Sequence, residues 1–389
     1  MTTQASDVFQ QLEAQTSDPA TMLESLVAHY RRERKPLELF EALKMQVRHR
    51  LGLPVVQGES ETATPEEVDR QMELGLVAAC EEVGTMMLQD GNVREGWMYM
   101  RPTGNTAKAA ECIAKLEVTD ENADDIVEVL LHEGVDVPRG FQIILDRQGT
   151  CNSITTFDQA IIAMPKPARQ AAAGILLDHV YNELCDAVRT DIANRSAPAG
   201  PDDDLVTMLE GRDFLFEGGA YHLDTSHLAS TVRFARVLND PAQIRKAWEL
   251  TQYGRRLSHQ LQYPGDEPFV DLYPAHATFF GILMGERVDS SLAVFQRKAR
   301  AINVAEQGTE PIEVYVDLLD RIGRPGEALQ AAIDLVPEEV PSARLVPLLL
   351  DLAQRADQFE PVLEYCRKKE DALGYAAAKT IAASQQSEA

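Results

Sequence analysis

The chain has 389 residues, 44% of them hydrophobic, with 62 acidic side chains against 37 basic ones. A single core stops growing at about 250 to 300 residues, so this length predicts two or more domains or one elongated repeat array. The formal net charge of -25 argues against nucleic-acid binding and against docking on an anionic membrane, because both need clustered Lys and Arg.

The cysteine spacing and the absence of a leader segment and of common catalytic motifs exclude further classes of protein. The 5 cysteines contain no CxxC pair, so neither a disulfide framework nor a thiolate zinc site is indicated. The start of the chain lacks a basic and apolar leader, and no apolar run reaches the roughly 18 residues of a membrane span. Nucleotide, zincin and hydrolase signatures are missing too. These features predict a soluble cytoplasmic protein.

The first hundred residues predict two helical hairpins. Apolar side chains recur every three or four positions over residues 20–54, on both sides of the RRERKP stretch. The polar residues 55–65 are interpreted as a mobile connection. The second hairpin has its turn at residues 89–92, before a short helix over residues 93–100.

Small residues fall at fixed spacing near both ends of the chain. Gly84, Gly91 and Gly96 are seven and five positions apart, and Gly323 and Ala328 are again five apart. This pattern resembles the tetratricopeptide repeat, in which small residues let the two helices of a hairpin approach closely. The resemblance implies an α-solenoid of antiparallel hairpins that holds a peptide or protein partner in a concave groove. It implies no catalytic residue.

The middle and the end of the chain complete an all-α prediction. Residues 141–155 are expected to include a short non-helical segment, and a long helix is expected over residues 167–194. The stretch RSAPAGPDDD at residues 195–204 is predicted to be a linker or a long loop, because such a composition cannot pack a core. It would separate two helical-repeat units, residues 1–194 and 205–380, with a disordered tail at 381–389.

One histidine-rich stretch, residues 214–238, is the first candidate site. Asp224 or Thr225 is expected to cap a helix and to leave His227 in the first turn, where the helix dipole favours a neutral ring. With His222, these residues are the candidate catalytic set, acting as a base or as ligands. The alternative is a plain helix start, whose capping groups satisfy exposed amides.

A metal site is the second candidate. His179 and Glu183 lie four positions apart and share one face of the long helix. Together with His222 and His227 they would offer three imidazoles and a carboxylate, a set suited to zinc or another divalent ion. The alternative is an ordinary surface pair on a helix.

The third candidate is a site for a small anionic ligand. The half of the chain after residue 204 concentrates cationic and polar aromatic residues: Arg233, Arg236, Tyr253, Arg255, Arg256, His259 and His276. Converging guanidinium groups would bind a carboxylate, a phosphate or a peptide carboxyl end. Ion pairs between helices are the alternative.

Two main functions therefore stand as hypotheses. The repeat pattern favours a binding or scaffold protein with a peptide or protein partner. The alternative is a metal-dependent or acid/base enzyme centred on His222, Asp224 and His227. A sensor of small anions is a third hypothesis.

Overall fold

The computed structural model describes residues 3–56 and 64–388 and is all-helical there, apart from an isolated bridge between Pro264 and Asp271. This confirms the predicted all-α fold class. The contacts divide the chain into two compact units, residues 1–153 and 154–389. None of the described helices combines the length and the apolar character needed to cross a membrane.

Helices of the first unit pack against their neighbours in the sequence, as in helical-repeat proteins. They are α1 (Thr3–Ala14), α2 (Pro19–Arg32), α3 (Pro36–Arg50), α4 (Glu66–Gln89), α5 (Val93–Met100), α6 (Thr106–Ala114), α7 (Ala123–Val127) and α8 (Val137–Gln159), which crosses into the second unit. Both predicted hairpins, α2 with α3 and α4 with α5, are confirmed. Residues 57–63 of the predicted mobile connection lie outside the described residues.

The second unit is also built from sequential neighbours. After α8 it contains α9 (Lys166–Arg195), α10 (Leu205–Leu209), α11 (Thr225–Phe234), α12 (Pro241–Gly254), α13 (Leu272–Leu283), α14 (Val288–Ala301), α15 (Val304–Gln307), α16 (Glu310–Arg321), α17 (Pro325–Leu335), α18 (Ser342–Ala356), α19 (Glu360–Lys368) and α20 (Ala372–Glu388). The helix predicted over residues 167–194 corresponds to α9.

The predicted linker at residues 195–204 lies inside the second unit, between α9 and α10. Its acidic residues bind backbone groups: Asp203 accepts a hydrogen bond from Gly200 N at 2.8 Å, and Asp204 caps α10 through Thr207 N at 2.8 Å. Arg189 of α9 donates to the carbonyl of Asp203 at 3.1 Å. The stretch is therefore an anchored loop rather than a boundary between units.

Two other segments bear on the sequence predictions. Residues 141–155 lie in α8, in which two helices meet at a kink formed by Gly149 (φ 78°, ψ -179°), so the expected short non-helical segment is this one residue. Phe141, Ile144 and Leu145 are buried at helical spacing, which explains why the helix forms there. Residues 381–388 of the predicted disordered tail continue α20, an alanine-rich helix.

The glycines of the α4–α5 hairpin allow a close contact between the two helices. A β-carbon at Gly84 would lie 2.7 Å from Met100 Cγ and 2.9 Å from the carbonyl oxygen of Gly96. A β-carbon at Gly96 would lie 2.9 Å from the backbone nitrogen of Leu88. The two glycines therefore sit where the hairpin has no room for a side chain.

We expect Gly84→Ala to lower the free energy of unfolding of the first unit by about 2 kcal/mol, because the helices must separate to admit a methyl group. The unit contains Trp97 and the other unit contains Trp248, so urea titration by fluorescence in a Trp248→Phe background follows the first unit alone.

Gly281→Ala is the matched control for this substitution. Gly281 also lies within a helix, α13, but the nearest atom to its added β-carbon would be 3.8 Å away. This change should stabilise the second unit by about 0.5 to 1 kcal/mol, because alanine loses less backbone entropy. A Gly84→Ala variant as stable as the parent chain would contradict the close contact.

Candidate functional site

His222 takes part in a hydrogen-bonded network that links three segments of the second unit. Its Nε2 lies 3.1 Å from Oδ2 of Asp191 on α9, and its Nδ1 lies 3.0 Å from the hydroxyl of Tyr253 on α12. The same hydroxyl accepts the backbone N–H of His222 at 2.8 Å. Arg195 Nε donates to the other oxygen of Asp191 at 2.8 Å. With the His222 side chain only 8% exposed, the network holds the segment before α11 in place.

Asp224 and His227 have a different role from His222. Asp224 caps α11 as predicted: its carboxylate accepts from Ser226 N at 2.8 Å and from His227 N at 3.4 Å. The hydrogen bond from the Ser226 hydroxyl is the main reason why the pKa of Asp224 is lowered, so the cap is ionised. The ring of His222 faces Asp191 and Tyr253, so the three predicted catalytic residues do not act as one group.

The predicted metal ligands are not brought together. His179 Nε2 lies 3.9 Å from Glu183 Oε2 on the surface of α9, with 43% and 51% of the two side chains exposed. His222 is bound to Asp191 and Tyr253 instead. Across residues 3–56 and 64–388, no three His, Cys, Asp or Glu side chains are arranged to hold a metal ion. In the described structure these four residues therefore do not form one metal-binding group.

Arg233 and Arg236 of the predicted anion site do lie together. They line a cavity of about 610 Å³ within the second unit, hereafter the charged cavity. Its polar lining combines five cationic and four acidic side chains: Lys166, Arg169, Arg233, Arg236 and Arg321, with Asp158, Glu310, Glu313 and Asp317. Its apolar lining includes Phe157, Ile162, Phe234, Val237, Phe279 and Val314.

The other five predicted anion-binding residues lie outside the lining of this cavity. Arg256 covers the ring of Phe216 and donates to the carbonyl of Leu209 at 2.6 Å, and Arg255 donates to Gln252. Buried Tyr253 binds His222, buried His276 belongs to the core, and His259 is exposed on a short 3₁₀ turn. For these residues, closeness in the sequence did not mean closeness in space.

Most cations of the charged cavity have acidic partners. Arg233 lies 3.6 Å from Asp158, and Arg236 lies 2.6 Å from Glu310. Arg321 pairs with Asp317 at 3.3 Å and also donates to the backbone carbonyls of Arg236 and Leu238. These bonds hold the end of α11 against α16 and fix the two predicted arginines in the wall.

Arg169 of α9 differs from these cations. Its Nε is buried and has no hydrogen-bond partner among the described residues, and no carboxylate pairs with its guanidinium there. Lys166, one turn earlier, reaches Asp317 only at 4.0 Å. No sequence pattern identified Lys166 or Arg169 as site residues, because their position in the cavity depends on the packing of α9 beside α11.

A second cavity of about 570 Å³ adjoins the first and shares Lys166, Thr309, Glu313 and Asp317 with it. Its floor is apolar and comes from helices α16 to α18 and the segment between α17 and α18: Ile312, Val316, Ala332, Val336, Val340, Leu345 and Leu348. Acidic residues dominate its rim, namely Glu313, Asp317, Asp320 and Asp351 against Lys166 and Arg344. We call it the apolar cavity.

No protein-family model, curated protein or solved structure matches this chain. The sequentially packed helices are compatible with a helical-repeat fold, and the second unit contains these two adjoining cavities.

Proposed function

We propose that this chain is a cytoplasmic binding protein of the tetratricopeptide type, which holds a peptide segment of a partner protein in the apolar cavity. The observation that carries the proposal is an apolar floor left open between stacked helices. Leu348 on that floor is 41% exposed, although its neighbours Leu345 and Leu349 in α18 are buried. Grooves of this kind bind the apolar side chains of a peptide and gain affinity from their burial.

The rim of the apolar cavity favours a basic partner. Asp320 and Asp351 both pair with Arg355, but among the described residues Glu313 is bound only to the hydroxyl of Thr309, at 2.6 Å. Four carboxylates face two cations on this rim, and the chain as a whole carries a net charge of -25. A segment that alternates Lys or Arg with Leu, Ile or Phe would match both the floor and the rim.

The enzyme alternative has less support. An acid/base residue needs access to a substrate, whereas the ring nitrogens of His222 are both within hydrogen-bond distance of Asp191 or Tyr253. We therefore assign His222 a structural role and place the proposed binding activity on α16 to α18.

Leu348→Glu is expected to weaken peptide binding at least tenfold. The change puts a carboxylate on the apolar floor and removes a side chain whose burial contributes about 1.5 to 3 kcal/mol. The probe is a pool of fluorescein-labelled dodecapeptides made from Lys, Arg, Leu, Ile and Phe, and the readout is fluorescence anisotropy with the full chain.

Leu373→Glu is the control for this experiment. Leu373 is 87% exposed on α20 and lies outside the lining of the apolar cavity, so its variant should bind the pool like the parent chain. Equal binding by the two variants would place the peptide elsewhere. A pool that does not bind the parent chain at all would refute the proposed function.

A further inference from the structure

The charged cavity has the size and the apolar surface of a small-molecule site. Its volume of about 610 Å³ falls within the range of about 300 to 1,000 Å³ that is usual for such sites. The rings of Phe157 and Phe234 stack in its wall with centroids 4.1 Å apart and planes 18° apart. Ile162, which is 51% exposed, adds a further apolar contact. The apolar part of a ligand would therefore pack against these side chains.

The charges of the cavity leave one cation without a partner. Five cationic side chains face four carboxylates in the lining, although the chain as a whole is strongly acidic. Arg233, Arg236 and Arg321 each lie within 3.6 Å of a carboxylate. The surplus positive charge corresponds to Arg169, whose buried Nε has no partner among the described residues. Arg169 is half-buried and lines the cavity, and cationic groups in such places are normally paired, so an anion bound to its guanidinium from the cavity would complete this site.

The balance of charge also indicates which anion fits. A monoanion neutralises the surplus, whereas the second charge of a phosphate dianion would face the carboxylates of Asp158, Glu310, Glu313 and Asp317 without compensation. A planar carboxylate matches the fork of guanidinium donors. The apolar wall favours an organic anion over an inorganic one.

We propose that the charged cavity binds a small organic monocarboxylate, with its carboxylate on Arg169 and its apolar body against the wall that includes Phe157 and Phe234. This site is distinct from the peptide site on the floor of the apolar cavity, so either proposal can fail alone.

The test uses isothermal titration of the full chain with phenylacetate, 3-phenylpropanoate, indole-3-acetate and 4-methylpentanoate. Each acid is compared with its neutral carboxamide and with inorganic phosphate. We expect at least one acid to bind with a Kd below about 1 mM and its amide to bind at least tenfold more weakly, since a charge-assisted hydrogen bond is lost. Arg169→Gln should weaken the acid at least tenfold and leave the amide unchanged.

Arg297→Gln is the matched control. Arg297 is exposed on α14, where its Nε donates to the carbonyl of Ala293 at 3.3 Å, and its variant should bind the acid like the parent chain. The comparison of acid with amide uses the native chain, so it decides the question even if Arg169→Gln fails to fold. Four results would overturn the proposal: no acid binding at 10 mM, equal binding of acid and amide, tighter binding of phosphate than of every acid, or unchanged binding by a folded Arg169→Gln.

Discussion

Replacing Glu249 with alanine is expected to lower the free energy of unfolding of the second unit by about 3 kcal/mol. Glu249 on α12 is only 3% exposed, and its carboxylate has three donors. The Tyr181 hydroxyl donates at 2.6 Å, the backbone nitrogen of Leu205 at 3.2 Å and Arg245 Nε at 2.9 Å. One side chain thus joins α9, the start of α10 and α12.

The size of this effect comes mainly from the donors left behind. The Arg245 side chain is 47% exposed, so water replaces much of its lost ion pair. The buried nitrogen of Leu205 would keep only a long hydrogen bond of 3.4 Å to the Tyr181 hydroxyl, and a buried donor left unsatisfied costs about 1 to 3 kcal/mol. Burial, followed by the hydrogen bond to Glu249, raises the pKa of Tyr181, so its hydroxyl keeps its proton and remains a donor.

Urea titration of Trp248 fluorescence in a Trp97→Phe background measures this loss in the second unit alone. Glu249→Gln keeps one acceptor oxygen and should lose about half as much. Glu364→Ala, an exposed position on α19, is the control and should change the stability by less than about 0.5 kcal/mol. Equal stabilities of Glu249→Ala and Glu364→Ala would show that the network contributes little.

Acid is expected to destabilise the second unit through His276, by about 3 kcal/mol at pH 4.5 relative to pH 8. Burial of the ring on α13, with a further effect of the Arg236 charge, lowers the pKa of His276 to about 3. The neutral ring donates from Nδ1 to the carbonyl of Leu272 at 2.7 Å and stacks on Phe269 with centroids 4.1 Å apart. Its Nε2 has no partner among the described residues.

The sign of this effect follows from the lowered pKa. Below about pH 6.5 the unfolded chain binds a proton at His276 that the folded unit does not bind. The contribution to stability is therefore complete above pH 6.5 and is lost as the pH falls towards 3, by about 1.4 kcal/mol per pH unit. Other acidic groups titrate in the same range, so the measurement needs a variant in which only this residue differs.

His276→Phe keeps a ring that can stack on Phe269 and removes the titration. The difference between the parent chain and this variant, measured by urea titration from pH 8 to 4.5, should grow by about 3 kcal/mol in favour of the variant. His259→Gln, at an exposed histidine, should follow the parent chain at every pH. Parallel curves for the parent chain and His276→Phe would contradict a buried neutral histidine.

Local features of the fold could be predicted from the sequence. The Asp224 cap depends only on the next three residues, and the hairpins depend on apolar periodicity and on small residues such as Gly84 and Gly96. The short non-helical segment expected within residues 141–155 is confined to Gly149, because the apolar spacing before it favours helix.

Features of the site that depend on distant packing could not be predicted. Arg233 and Arg236 were identified because they lie near other cations in the sequence, but their partners Asp158 and Glu310 come from far along the chain. Arg169 belongs to no sequence motif, and it is recognised as a cavity residue only in the folded structure, where α9 forms part of the cavity wall. Similarly, His222 resembled a ligand because the sequence does not show Asp191 and Tyr253 at its two nitrogens.

The loop between α9 and α10 has a practical consequence for engineering the chain. Both of its ends are anchored, by the hydroxyl of Ser196 on the carbonyl of Ile192 and by Arg189 on the carbonyl of Asp203, while residues 196–198 are exposed. Exposed loop tips with anchored flanks tolerate added sequence well. A fluorescent reporter domain inserted at residues 197–198 would leave both anchors in place, so the second unit could carry an internal label.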